Sequence, residues 1–119
     1  MRILDRILAC IVILGSLGHA AGSYIAYKHE PVTMLWALSA SMLWQLIAAV
    51  NLLRTFRPRD RPLAWIAFAW SLAMAISGFT FGILIGNVLD ARALINGLVA
   101  LGLAAFSMRA ALSATTAQA

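Results

Sequence analysis

The stretch that decides the fold is residues 63–88, which read LAWIAFAWSLAMAISGFTFGILIGNV and contain no Asp, Glu, Lys or Arg. A helix needs about 20 consecutive apolar residues to cross the hydrocarbon core of a bilayer, so this stretch is long enough to span a membrane. Three further apolar runs occupy residues 7–27, 33–53 and 91–108. The sequence therefore predicts an all-α integral membrane protein with four transmembrane helices.

The composition of the whole chain excludes a water-soluble domain. Of its 119 residues, 63% are hydrophobic and 11% are charged, whereas a soluble domain has about 45–50% apolar and about 25% charged residues. A chain of this length leaves much of its surface exposed when it folds, so it cannot bury so many apolar side chains in water. The net charge of +5 therefore concerns membrane topology, and we expect the lipid bilayer and no nucleic acid as a partner.

The basic residues predict how the chain lies across the membrane. Lys and Arg in short loops favour the cytoplasmic side, and one side of this protein collects Arg2, Arg6, Arg54, Arg57, Arg59, Arg61 and Arg109. The other side has only Lys28 and Arg92. We therefore expect both termini in the cytoplasm, with the bacterial inner membrane as the location. Four of these arginines are candidates for contact with anionic lipid headgroups, namely Arg54, Arg57, Arg59 and Arg61.

The chain contains an internal repeat. When Asp5 is laid over Asp60 without gaps, the segments DRILACI and DRPLAWI align, and further identical residues recur along the chain. Such self-similarity indicates a duplicated helical hairpin within a single transmembrane domain, with copies at residues 1–55 and 56–110 and a short polar tail at 111–119. Two copies of the same orientation place the pseudo-twofold axis along the membrane normal. The alternative is that two unrelated hairpins share interface arginines and apolar residues.

Small residues predict where the helices pack. Helices in lipid associate through glycines spaced four residues apart, because the two backbones can then approach closely. The candidate positions in the first and third spans are Gly15, Gly18, Gly22, Gly78, Gly82 and Gly86. We expect these two stripes to meet within the monomer, or one of them to face another protein molecule.

His19 is the one ionisable side chain expected well inside the membrane. By helical rise it lies in the outer third, at the level of Ser41, Ser77 and Asn96, with Gln45 nearer the midplane. These five residues are the candidate ligand-binding positions. A hydrogen bond across the bundle is one explanation for His19, and contact with a quinone, a pigment or a haem is another.

The residue types needed for catalysis or for a metal site are missing from the pattern. A single cysteine, Cys10, forms neither an internal disulfide nor a Cys-based metal site on its own. No second His, Cys or carboxylate is expected at the level of His19. His29 lies beside Glu30, but adjacent residues on a helix do not face each other. The sequence therefore predicts no catalytic residue and no metal, and it gives no support for a cofactor.

These features together favour a protein that is not an enzyme. We expect an accessory or structural subunit that packs against a larger membrane complex, or a protein that assembles with itself. The second hypothesis is a small transporter or channel with a polar site around His19. The third is a membrane subunit that binds a quinone, a pigment or a haem. One class of transporter is disfavoured, because the first span lacks the glutamate that small multidrug transporters carry there.

Overall fold

The computed structural model describes residues 2–116, with the side chains of residues 3–113, and this part of the chain forms four α-helices. The helices are α1 Arg2–Tyr27, α2 Pro31–Phe56, α3 Arg61–Leu84 and α4 Ala91–Thr116. Each contains a segment long and apolar enough to cross a membrane. The predicted fold class, an all-helical integral membrane protein with four spanning helices, is confirmed.

Three helices end at different places from the predicted spans, and α2 runs to Phe56 where the span was expected to end at residue 53. The third span was expected to cover 63–88, but α3 stops at Leu84. The fourth was expected to end near residue 108, but α4 continues to Thr116. Residues 111–116, predicted as part of a polar tail, are therefore helical, and residues 117–119 lie outside the described residues.

The early end of α3 has a backbone cause. Gly86 takes a φ of +69°, and its N–H donates to the carbonyl oxygen of Ile83 at 3.0 Å. The N–H of Asn87 donates to the carbonyl oxygen of Gly82, also at 3.0 Å. These two bonds make a Schellman motif, whose left-handed position favours glycine. Gly86 therefore ends a helix and is not a helix-packing residue as the sequence suggested.

The start of α3 is fixed by a side-chain cap. The Oδ1 atom of Asp60 accepts a hydrogen bond from the backbone N–H of Leu63 at 3.0 Å, which satisfies one N–H that the first helical turn leaves unpaired. Pro62 lies in that first turn, where its missing N–H removes no helical hydrogen bond. The middle loop is consequently short.

The four helices form two hairpins, α1 with α2 and α3 with α4, which pack side by side. Between the hairpins, α1 contacts α4 and α2 contacts α3. Among residues 2–116, no Cα atom of α1 lies within 8 Å of one in α3, so these two helices are diagonal across the bundle. The expectation that their glycine stripes meet each other is therefore wrong.

The glycines of α3 pack against α4 instead. A Cβ atom added at Gly78 would lie 2.9 Å from the backbone nitrogen of Gly97, and one at Gly82 would lie 3.0 Å from the Cβ of Ala93. The backbones of α3 and α4 are thus in direct contact, as small residues permit. In α1, by contrast, a Cβ added at Gly18 would have no heavy atom within 4 Å.

We expect Gly78→Ala to destabilise the bundle and Gly18→Ala to leave it intact. At position 78 the new methyl group meets backbone that cannot rotate away, and overpacking of this kind costs about 1–3 kcal/mol. At position 18 there is no clash, and alanine is the better helix former by about 1 kcal/mol. Unfolding in mixed detergent micelles, followed by circular dichroism, measures both. Equal loss in the two variants would contradict the backbone contact between α3 and α4.

Candidate functional site

A cavity of about 460 Å³ lies at the end of the bundle where α2 and α4 begin, and all four helices line it. Its volume falls in the range of small-molecule sites, about 300–1,000 Å³. The polar residues of its wall are His19, Ser23, Ser77, Arg92 and Asn96, and the aromatic ones are Tyr27, Trp44 and Phe81. The wall therefore combines a few polar groups with a largely apolar surface.

The structure brings together four of the five candidate residues. His19, Ser77 and Asn96 line the cavity, and Ser41 is hydrogen-bonded to His19. Gln45 is half-buried on α2 and is not among the residues that line this cavity. Helical rise thus predicts which side chains share a depth, and three helices turn them toward the same space.

His19 is held in place by α2. Its Nδ1 lies 2.8 Å from the Oγ of Ser41, and its ring lies 5.6 Å from the ring of Trp44, centroid to centroid. The Oγ of Ser23 is a more distant neighbour of the same nitrogen, at 3.5 Å. The hydroxyl of Ser41 also donates to the carbonyl oxygen of Ala37 at 3.2 Å. One side of the imidazole is therefore occupied by α1 and α2, and the other side remains for the cavity.

Two further polar groups of the wall have hydrogen-bonding capacity to spare. The hydroxyl of Ser77 donates to the carbonyl oxygen of Ala73 at 3.0 Å, so its oxygen lone pairs are free to accept. The side-chain amide of Asn96 is half-buried, and it has no hydrogen-bond partner among the described residues. An amide without a partner in a semi-buried wall is available to a ligand.

Arg92 lies at the rim and is already paired. Its Nε and Nη2 each donate to the carboxylate of Asp90 at 3.0 Å, and its backbone N–H donates to the same carboxylate at 2.9 Å. The guanidinium also lies 5.5 Å from the ring centroid of Phe81. The side-chain hydrogen bond, followed by the backbone bond and the positive charge of Arg92, lowers the pKa of Asp90 from 3.8 to about 2. The rim therefore presents a neutral ion pair.

A second polar cluster is buried at the opposite end of the bundle, which we call the arginine-rich end because the arginine loop lies there. The Nη2 of Arg54 donates to both carboxylate oxygens of Asp5, at 2.6 and 2.8 Å. The Nδ2 of Asn51 donates to Ser71 at 2.9 Å, and Ser107 donates to the Oδ1 of Asn51 at 3.0 Å. These five side chains come from all four helices. They were missed as a cluster in the sequence.

Arg54 is placed differently from the other three candidate headgroup arginines. Its side chain is 4% exposed and paired with Asp5, whereas Arg57, Arg59 and Arg61 are exposed. A guanidinium that points into the bundle finds a carboxylate there and has no access to lipid phosphate. The expectation of headgroup contact is corrected for Arg54, and it stays a prediction for the loop arginines.

No cluster of the usual metal ligands is found in the described part of the chain, where groups of three or more His, Cys, Asp or Glu are absent. Cys10 is exposed on α1. Comparison of this chain with known protein families, with curated proteins and with solved structures finds no match. Function is therefore inferred from the arrangement of the side chains.

We expect Arg54→Met to destabilise the bundle by about 3–5 kcal/mol, because the partner charge on Asp5 is left buried and uncompensated. The double variant Asp5→Leu with Arg54→Met should regain most of that loss, since neither charge is then present. Arg57→Met is the control, because its side chain is exposed. Free energies of unfolding in mixed micelles test this. A double variant no more stable than the single one would refute the pairing.

We expect Arg92→Gln to raise the pKa of Asp90 from about 2 toward 3.8, because the hydrogen bonds that favour the carboxylate are lost. A folded-state pKa below the ordinary value means that ionised Asp90 stabilises the fold above pH 3.8, and that this contribution disappears as the pH falls through about 2. Carbon NMR titration of the Asp90 carboxyl group measures the shift. Arg61→Gln, at the other end of the bundle, should leave the midpoint unchanged, and the same midpoint in all three proteins would contradict the assignment.

Proposed function

We propose that this chain is a small non-catalytic membrane protein that assembles with another membrane protein molecule, as an accessory subunit of a larger complex or as a homo-oligomer. The observation that supports the proposal is an open face on α1, which we call the α1 glycine face and define by Gly15 and Gly18; the next glycine of the stripe, Gly22, lines the cavity. A Cβ added at Gly15 or Gly18 would have no heavy atom within 4 Å. The face is therefore unoccupied within the chain.

The contrast with α3 supports a role for this face in assembly. A glycine inside a helix is destabilising by about 0.5–1 kcal/mol relative to alanine. In α3 the cost is offset by close contact, since Gly78 and Gly82 let α4 approach. Gly15 and Gly18 have no such contact within the described residues, although small residues one helical turn apart let a second helix approach closely in lipid. A helix of a second molecule would supply the missing contact.

The surroundings of the bundle agree with a non-catalytic role. The connections between the four helices are short loops at 28–30, 57–60 and 85–90, so the described residues include no domain outside the helices. Apolar helices of this length are compatible with a lipid bilayer. We further propose the bacterial inner membrane with both termini in the cytoplasm, which the distribution of arginines favours.

Native mass spectrometry of protein released gently from its own membrane tests the assembly role. We expect a defined multi-subunit mass, which Gly18→Leu reduces to the monomer because the larger side chain separates the two helices. The monomer itself should keep its fold, because position 18 has open space around it. Ala105→Leu, an exposed small position on α4, is the matched control and should retain the assembly. A lone monomer from the unmodified chain would refute the proposal.

The cavity around His19 favours a second candidate function, the binding of a small molecule. Below the cavity each helix contributes a buried apolar side chain before the polar cluster is reached, namely Val12, Ile47, Met74 and Leu103. These residues belong to one packed core, which favours a site that ends inside the protein over a channel. In the same mass spectra a retained ligand would add mass to the unmodified chain and not to His19→Ala.

A further inference from the structure

We propose that the cavity binds a neutral amphiphile whose head is a hydroxyl-bearing aromatic ring, a phenol, and that the hydroxyl donates to Nε2 of His19. The inference rests on the second candidate function and is independent of the assembly role. It specifies the chemical class of the ligand and the direction of one hydrogen bond. The acceptor on the protein, the charge of the wall and the aromatic surface each support it.

The hydrogen bonds of Ser41 determine which imidazole nitrogen carries the proton. A serine hydroxyl has one proton to give, and in this geometry it reaches either the Nδ1 of His19 at 2.8 Å or the carbonyl oxygen of Ala37 at 3.2 Å. If it goes to Ala37, the Nδ1–H of His19 donates to Ser41 and both bonds form. If it goes to Nδ1, the bond to Ala37 is lost, and the other hydroxyl that can reach Nδ1, that of Ser23, lies 3.5 Å away. The first arrangement forms the shorter pair of hydrogen bonds, so we assign the proton to Nδ1.

With the proton on Nδ1, the free nitrogen of His19 is a hydrogen-bond acceptor. No partner for Nε2 occurs among the described residues, and the side chain lines the cavity. The unprotonated Nε2 can accept a hydrogen bond from a ligand that carries an O–H or N–H group. Ser77 offers a second acceptor, because its own hydroxyl proton is donated to the carbonyl oxygen of Ala73. A hydroxyl group can donate to these acceptors and also accept from the amide of Asn96, whereas an ether or a ketone can only accept.

The charge of the wall favours a neutral ligand. Arg92 is the one Lys, Arg, Asp or Glu among the residues that line this cavity, and its guanidinium is held by the carboxylate of Asp90. A charged ligand would have to break this pair or remain uncompensated, and burying an unpaired charge is unfavourable. An uncharged head avoids both penalties.

The aromatic residues favour a ring over an aliphatic alcohol. Trp44, Phe81 and Tyr27 contribute to the wall, and aromatic pairs gain from offset or edge-to-face arrangements in addition to buried area.

Gly22 also lines the cavity, and a side chain there would have open space to fill. Leucine at position 22 should consequently occupy the ligand's place without displacing a helix.

The test uses the full chain in lipid nanodiscs, with Trp44 as the fluorescent reporter and the other tryptophans, Trp36, Trp65 and Trp70, replaced by phenylalanine. Three probes share one alkyl tail: para-nonylphenol, its methyl ether, and n-nonanol. We expect the phenol to bind about tenfold more tightly than the ether, the difference of one hydrogen bond, and more tightly than the alcohol. Equal binding of phenol and ether overturns the hydroxyl assignment, and equal binding of phenol and alcohol overturns the ring.

Three variants separate the ligand assignment from the cavity itself. His19→Phe keeps an aromatic side chain and removes the acceptor, so the preference for phenol over ether should vanish; a preserved preference overturns the role of Nε2. Gly22→Leu should abolish saturable binding of all three probes, while Ala105→Leu, an exposed position on α4 that does not line the cavity, should not. If the unmodified chain binds none of the probes, the phenol proposal fails. If it retains another small molecule that His19→Ala loses, the second candidate function survives that failure.

Discussion

The buried ion pair between Asp5 and Arg54 is the interaction on which the arrangement of the helices depends. Apolar side chains that face lipid give little information about register, because lipid tails are as apolar as the side chains themselves. Polar groups do specify it, since a buried donor or acceptor without a partner is strongly unfavourable. Asn51 lies next to the pair and hydrogen-bonds to Ser71 and Ser107. A slip of any helix would therefore break at least one of these bonds.

This pair also fixes how α1 and α2 align at the other end of the bundle. His19 lies about 20 Å beyond Asp5 by helical rise, and Ser41 precedes Arg54 by nearly the same distance. In antiparallel helices, two contacts with matching separations form together, so pairing Asp5 with Arg54 brings His19 to Ser41. The polar cluster therefore sets the register of α1 against α2, and the same register places His19 next to Ser41 in the cavity.

The spans and the depth of the cavity residues were predictable, whereas helix partners were not. Apolar length reveals a span and helical rise reveals depth, which is why His19 and Ser41 were expected at one level. Glycine spacing shows that a helix can be approached closely but not by which neighbour, so Gly78 was assigned to α1 although it meets Gly97. Arg54 was expected to contact lipid headgroups, because the sequence does not show whether an arginine at the end of a span points into the bundle.

The internal repeat stays a prediction. Two pairs of residues that it makes equivalent in α1 and α3 are buried alike, Ser16 with Ser71 and Ala9 with Ala64. Other positions that the alignment pairs differ in residue type: His19 corresponds to Met74, a buried core residue. Identity in this alignment does not follow burial, since Leu46 and Leu101 are identical and exposed, and Arg54 is buried whereas Arg109 is exposed. If the hairpin was duplicated, packing alone gives no reason for a histidine in a single copy, in the wall of a cavity that Asn96 also lines.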